Sequence, residues 1–373
     1  MRVDKTKWEN TLIKGSIKAL KVKAAVQKKD YLLTGKYPVI SQEKEFISGY
    51  CNTEDNLNEI LEDVIIFGDH TRIVKYVDFD FCVGADGVKV LRPDNKLSAK
   101  YLYYFIKWAN IPSNGYSRHF KFLKEIEIKY PKDKSIQQAI ASELDAIQTM
   151  IDGYKAQLED LDALAQSIFL DMFGDPITNP KEWVIDKLGN HIKVIGGYAF
   201  KSGSFLESGV PVLRIGNINS GVFKKDNLVF WQENNKLLRY KIYPGDLVIS
   251  LTGTVGKSDY ANVCILDRSY PMYYLNQRNA KLELSNDIGK SYLTWLLKHK
   301  HIKNKLTKIS RGIRQANMSN KDIEELIIPL PPLTLQQDFA NQVEAIEKQK
   351  ELIKSQLADA ETLMAERMQY YFS

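Results

Sequence analysis

Residues 137–173 and 336–372 align without a gap at a constant shift of 199 positions. Gln137, Gln138, Ala141, Ala146, Ile147, Lys155, Gln157, Leu158, Asp160, Leu164 and Phe173 recur as Gln336, Gln337, Ala340, Ala345, Ile346, Lys354, Gln356, Leu357, Asp359, Leu363 and Phe372. An ungapped internal repeat of this length constrains the whole chain. It implies two half-molecules in tandem, each a globular unit followed by a long helix. Two similar units on stiff spacers suit recognition in two parts better than a single active site.

The repeated segment reads as helix. Ile140, Leu144, Ile147, Ile151, Tyr154, Leu158, Leu161, Ala165, Ile168 and Met172 alternate by four and three, a sustained apolar seam. The second copy gives Phe339, Val343, Ile346, Lys350, Ile353, Leu357, Ala360, Met364, Arg367 and Tyr371. Long Lys and Arg stems can lie along such a seam with the charge outside. Pro131 and Pro331-Pro332 precede the helices, and Gly174-Asp175-Pro176 ends the first. A helix of this length, ~55 Å, with one apolar stripe needs a partner. The other copy is the simplest one. A pseudo-two-fold relation would make the pair an antiparallel coiled coil with the globular units at opposite ends. The expected division is residues 1–131, a spacer helix 132–173, residues 174–331 and a C-terminal spacer helix 332–373.

The formal net charge of +6 conceals a division. Segment 132–173 holds 3 Lys against 8 Asp and Glu, and 332–373 holds 4 Lys and Arg against 7 acids. Residues 1–131 carry about +5 and 174–331 about +9. Basic globular units on acidic helices suit a polyanion, of which nucleic acid is the common one. No run of apolar residues is long enough to span a membrane. The polar start of the chain does not read as a signal peptide. Cys51, Cys82 and Cys264 lack metal-ligand spacing and read as buried thiols in a reducing, cytoplasmic setting.

The globular units repeat more weakly. Gly35-Lys36-Tyr37-Pro38-Val39-Ile40 matches Ser208-Gly209-Val210-Pro211-Val212-Leu213, and Glu62-Asp63-Val64-Ile65-Ile66 matches Gly245-Asp246-Leu247-Val248-Ile249. Tyr101-Leu102-Tyr103-Tyr104-Phe105 matches Tyr292-Leu293-Thr294-Trp295-Leu296. Residues 64–67, 88–91, 210–215, 247–251 and 280–284 read as strands, and 97–108 and 288–299 as helices. The fold class is therefore α+β, with two mixed α/β domains in tandem. A polar, basic loop precedes the last strand of each: residues 114–121 in the first, 310–317 in the second. Arg, Gln and Asn are the side chains that bond guanine or adenine edges in pairs.

Catalytic motifs fail on inspection. Gly256-Lys257-Ser258 lacks the glycine that a phosphate loop needs, since Leu251 stands there. Pro93-Asp94 with Glu127-Ile128-Lys129 has no counterpart at Ile327-Ile328-Pro329. His70, His119, His191, His299 and His301 offer no zinc spacing. No catalytic residue, resident metal or cofactor is expected.

One arrangement remains. Ile136-Gln137-Gln138 opens the first helix, and Pro329-Leu330-Pro331-Pro332-Leu333-Thr334-Leu335-Gln336-Gln337 leads into the second. With Pro244-Gly245-Asp246-Leu247-Val248-Ile249-Ser250 and Gly253-Thr254-Val255-Gly256-Lys257, the chain resembles the DNA-specificity subunit of type I restriction–modification systems over essentially its whole length. The first unit departs from the pattern, with His70-Thr71-Arg72 where the second has Gly253-Thr254-Val255. The resemblance implies two target-recognition domains, each reading half of a split, asymmetric double-stranded DNA site. It implies helices that bind two adenine-methylating modification subunits, with restriction subunits joining them. S-adenosylmethionine, ATP and magnesium would reside on those partners. Expected DNA contacts are Arg72, Lys75, Arg118, His119 and Lys121 in the first domain. In the second they are Arg214, Asn217, Thr254, Lys257, Gln277, Arg278, Arg311, Arg314, Gln315 and Asn317. The competing readings are a homodimerising coiled-coil DNA-binding regulator and a nuclease in its own right.

Overall fold

The computed structural model describes residues 2–112, 115, 117–218, 221–255, 257, 259–308 and 316–373. It divides into two compact units, Met1–Ala156 with Ile353–Ser373, and Gln157–Leu352. The division passes through both long helices, so each helix contributes one half to each unit.

The first unit is built on two four-stranded sheets. One is antiparallel, in the order Ile17–Ala19, Val88–Pro93, Val64–Gly68, Val74–Val77. The other runs Gly49–Cys51, Tyr37–Ile40, Phe81–Val83, Leu57–Asn58, and its two central strands are parallel. A two-stranded ribbon pairs Glu9–Leu12 with Glu127–Tyr130. Successive side chains on a strand face opposite ways, and residues 64–67 use both faces. Ile65 and Phe67 pack with Leu102 and Phe105 of helix α1 (Ala99–Trp108), whereas Val64 and Ile66 pack with Ile40, Phe81 and Val83 of the second sheet. A strand covered on both sides needs an unbroken apolar run, which is why Val64-Ile65-Ile66-Phe67 does not alternate. Ser98 caps α1 by accepting from the Tyr101 amide. A short helix α2 (Phe120–Lys124) follows, then α3 (Lys134–Phe173).

The second unit repeats this plan. Its antiparallel sheet runs Ile192–Gly196, Asn279–Leu284, Leu247–Ser250, Val263–Ile265. Its second sheet runs Val229–Trp231, Val210–Leu213, Tyr273–Leu275, Lys241–Ile242, again with a parallel central pair. Leu247 and Ile249 face Leu293 and Leu296 of α4 (Lys290–Lys298), and Val248 faces Leu213 and Leu275. The ribbon is Ile185–Lys187 with Ile327–Pro329. Two features have no counterpart among the described residues of the first unit: helix α5 (Lys300–Lys308), and a pairing of Thr252–Gly253 with Ala316–Asn317. Helix α6 (Asn320–Glu324), capped reciprocally by Ser319 and Asp322, leads to α7 (Leu333–Phe372).

In the first unit Ile140, Leu144, Ile147 and Ile151 of α3 share a core with Ala360, Met364, Met368 and Tyr371 of α7. Glu143 pairs with Arg367, and Lys155 with Glu361. Rising numbers on one helix meet falling numbers on the other, so the segments run antiparallel. In the second unit Asp162 pairs with Lys350, and Phe169 and Phe173 pack on Phe339. Val343, Ile346 and Ile353 are buried as the seam required, whereas Leu158 and Leu357 are only half-buried. Two seam assignments shift by one residue. Phe169 and Phe173 are buried rather than Ile168 and Met172, and Met368 is buried rather than Arg367. A 3.6-residue helix drifts about 20° per heptad from a 3.5-residue repeat, and over 40 residues that moves the buried stripe to the next position.

A buried glutamine ties each helix to its domain. Gln137 Oε1 accepts from the Ser98 amide (2.8 Å), and Nε2 donates to the carbonyls of Lys96 and Pro131 (both 2.8 Å). Gln336 repeats this with the Gly289 amide (2.7 Å) and the Pro331 carbonyl (2.8 Å). Tyr101 donates to the Lys129 carbonyl (2.8 Å) and Tyr292 to that of Pro329 (2.6 Å). Phe372 covers Tyr101 edge-on (5.4 Å), as Phe173 covers Tyr292 (4.8 Å). Each domain is thus bound to the start of its own helix and to the end of the other. Replacing Gln137 with Leu strands one amide and two carbonyls, and should cost about 2–4 kcal/mol. Gln138→Ala, on the exposed side, should change stability by less than about 0.5 kcal/mol. Urea midpoints of the two variants separate the cases, and equal midpoints would refute the tie.

Arg367 and the Tyr371 hydroxyl (2.7 Å) both donate to Glu143. Burial alone would raise this carboxyl, but those bonds outweigh it and bring it down to about 2. A depressed carboxylate stabilises the fold above its unfolded value of about 4.3 and loses that effect as pH falls through the folded value. Glu143→Gln should therefore be less stable than the parent by about 1–3 kcal/mol at pH 7. The difference should shrink between pH ~4.3 and about 2, as acid titrations of both proteins would reveal.

Candidate nucleic-acid interface

In the second unit four chain segments meet where the two sheets end. The Leu213 carbonyl accepts from the Asn276 amide (3.3 Å) and from Asn279 Nδ2 (2.8 Å). The Leu251 amide donates to the Arg278 carbonyl (2.8 Å), and the Met318 amide donates to the Leu251 carbonyl (2.9 Å). Arg214, Thr254, Lys257, Gln277, Arg278 and Asn317 are thereby brought onto one edge. They come from four places in the sequence, because strands pairing side by side end side by side. Arg214, Gln277 and Arg278 line a cleft of about 730 Å³ together with Lys224, Phe205 and Asn227. The Arg214 guanidinium is braced by the Asn227 carbonyl and the Phe205 ring (5.9 Å). Gln277, Arg278, Thr254, Lys257 and Asn317 are exposed. The cleft offers planar donors, an amide and a second cation, a set suited to base edges and phosphates.

Thr254, in the turn after Leu251, is tied to Asp259. Asp259 accepts from the Thr254 amide (2.8 Å) and hydroxyl (2.7 Å), and these bonds hold its carboxyl below the usual range. Gly253 is required here, since a Cβ would lie 2.3 Å from Asp259 Oδ1. Asp259→Ala should speed hydrogen exchange at the Thr254 amide and cost about 1–2 kcal/mol; unchanged exchange would show that the turn holds itself.

The first unit gathers the equivalent segments. The Gly84 amide donates to the Ile40 carbonyl (2.9 Å), Asp69 to that of Gly87 (2.7 Å), and His119 to that of Asp69 (2.7 Å). Gln42 joins three of them: its Nε2 donates to the Asp86 carbonyl (2.7 Å), its Oε1 accepts from the His70 amide (3.1 Å), and its carbonyl accepts from Thr71 (2.8 Å). Arg72 adopts φ 61° at the turn and donates to the Ile111 carbonyl (2.9 Å), with the side chain otherwise exposed. Arg118 and Lys121 are exposed.

Three expected contacts prove to be interior. Lys75 is 4% exposed and donates to the carbonyls of Glu45 and Phe46, and burial lowers its pKa to about 8. His119 is 1% exposed, with Nδ1 on the Asp69 carbonyl (3.0 Å). Asn217 is 2% exposed and donates to the carbonyls of Lys224 (3.0 Å) and Asp226 (3.1 Å). Each spends its polar atoms on loop backbone, because a buried donor left unpaired would cost more than a surface contact returns. Arg311, Arg314 and Gln315 lie outside the described residues. Gln42, Asp69 and Asp259 were missed by sequence reasoning. Gln42 stands two positions beyond Ile40 of the repeated strand and could have been found there; Asp69 and Asp259 carry no pattern of their own.

Among the described residues no group of three or more His, Cys, Asp or Glu could hold a metal ion, and no helix is long and apolar enough to cross a membrane. The profile of the type I restriction modification DNA specificity domain matches residues 5–162 and again 180–362. The chain is 23% identical over 369 residues to the type I restriction enzyme MjaVIII specificity subunit of Methanocaldococcus jannaschii, covering 91% of this chain and 86% of that protein. It is 34% identical over 152 residues to the EcoR124I/EcoR124II specificity subunit of Escherichia coli, a match spanning 36% of each chain. The crystal structure of a type I restriction-modification S subunit from M. genitalium has the same fold, with a TM-score of 0.61 at 18% identity over 100% of this chain and 98% of that one.

Proposed function

From the chain's membership of the type I restriction–modification DNA specificity family, a family of specificity components rather than catalysts, we propose that it reads a bipartite, asymmetric double-stranded DNA target. One part falls to each unit, and unread base pairs lie between them. It directs adenine methylation and restriction carried out by partner subunits. Those partners are two modification subunits and the restriction subunits, which bring S-adenosylmethionine, ATP and magnesium. The observation that carries this reading is the convergence, in both units, of equivalent loop ends bearing different residues on one repeated framework. A shared scaffold with divergent tips is what two readers of unlike sequences need. The contacts we assign are Arg72, Arg118 and Lys121 in the first unit, and Arg214, Thr254, Lys257, Gln277, Arg278 and Asn317 in the second. Arg311, Arg314 and Gln315, which lie outside the described residues, are assigned with them.

Alanine variants in the full assembly, titrated against matched and mismatched duplexes at two salt concentrations, test the assignment. Losing a base-reading arginine such as Arg278 should cost about 1–3 kcal/mol and relax one position of the second half-site only. Losing Lys257 should weaken all sequences alike and lower the salt slope by about 1. Unchanged affinity at every position would end the proposal.

A further inference from the structure

Among the described residues of the first unit, helix α5 (Lys300–Lys308) has no counterpart. Its sequence, Lys300-His301-Ile302-Lys303-Asn304-Lys305-Leu306-Thr307-Lys308, holds four lysines and no acid. Ile302 and Leu306, four apart, are fully buried in the domain core and fix which side faces out. Lys300, Lys305 and Lys308 are exposed. Among the described residues none of these three has a hydrogen-bond or ion-pair partner. Lys303 is turned inward onto Asn262 Oδ1 (2.6 Å).

The helix dipole accounts for part of this. Cations in the last turn gain about 0.3–1 kcal/mol, which covers Lys305 and Lys308. It does not account for Lys300, which sits in the first turn, where a positive charge is disfavoured. Its C-terminal turn is joined to the segment that follows the Thr254 turn, and its other end to Asp175 through His301 (3.5 Å). Tyr260 donates to the Thr307 carbonyl (2.6 Å), and Tyr260 follows Asp259, the residue that holds the Thr254 turn. Three exposed cations without partners, on a helix joined to the segment that carries the Thr254 turn, suit the anionic backbone of a duplex, which carries one phosphate charge per ~1.7 Å of axis.

We infer that α5 is a backbone clamp: Lys300, Lys305 and Lys308 bind duplex phosphates flanking the second half-site, adding affinity and salt dependence without sequence preference. This rests on the DNA-reading function proposed above. The test compares the parent assembly with a K300Q/K305Q/K308Q variant and a K300R/K305R/K308R variant, each bound to matched and mismatched duplexes across a salt series. The glutamine variant should lose about 2–3 in the slope of log affinity against log salt, equally on both duplexes, with the half-site sequence unchanged. The arginine variant should restore the slope. An unaltered slope, or a loss confined to the matched duplex, overturns the clamp while leaving the reading of DNA by the cleft intact. Unaltered DNA affinity with lost copurification of the modification subunits overturns it in favour of a protein-facing surface. A parent assembly that binds no duplex overturns both.

Discussion

A 40-residue helix with a single apolar stripe cannot leave that stripe in water. Everything else in the fold follows from how this chain covers it. Each half of α3 lies against an antiparallel half of α7, and each pair is also part of a domain core. Ile140 and Leu144 share a cluster with Tyr101 and Phe105, and Phe169 and Phe339 share one with Tyr292. The helices are therefore structural members of the domains rather than linkers between them. Gln137 and Gln336 make that connection polar and directional. A buried amide satisfied by three or two backbone groups admits one register, whereas apolar packing alone tolerates sliding.

The same economy governs the edge where the loop ends converge. Strands that pair in register bring their ends together, so four separate loops become one surface. Buried and half-buried polar side chains then hold those loops from beneath. Gln42 and Asn217 spend their amides on loop backbone, and Asp259 spends its carboxylate on Thr254. The exposed tips above them, Arg118, Arg278 and Lys257 among them, are free to differ between units without disturbing the frame.

Much of this could be read from the chain alone. The ungapped repeat exposed the helices, and the matched runs at residues 64–66 and 247–249 exposed the central strands, because burial on both faces enforces uninterrupted apolar residues. The loops were harder. Lys75, His119 and Asn217 have the chemistry of DNA contacts, and nothing local in the sequence distinguishes a lysine that reaches outward from one that folds back onto carbonyls 30 residues away. Phe169 was passed over in favour of Ile168 because a strict heptad ignores the slow rotation of a real helix. Helix α5 was hidden by its composition: only Ile302 and Leu306 of its nine residues are apolar, and a single pair four apart is too short a pattern to announce a helix.

The account stands or falls on whether one chain with two recognition edges specifies one target in two parts. Sequencing adenine methylation across the genome of a host with and without this gene measures that directly. The account predicts that a single motif disappears with the gene, consisting of two unlike specified half-sites around a fixed run of unspecified base pairs. Loss of an uninterrupted motif, or no change in the methylation pattern when the partner subunits are present, would contradict it.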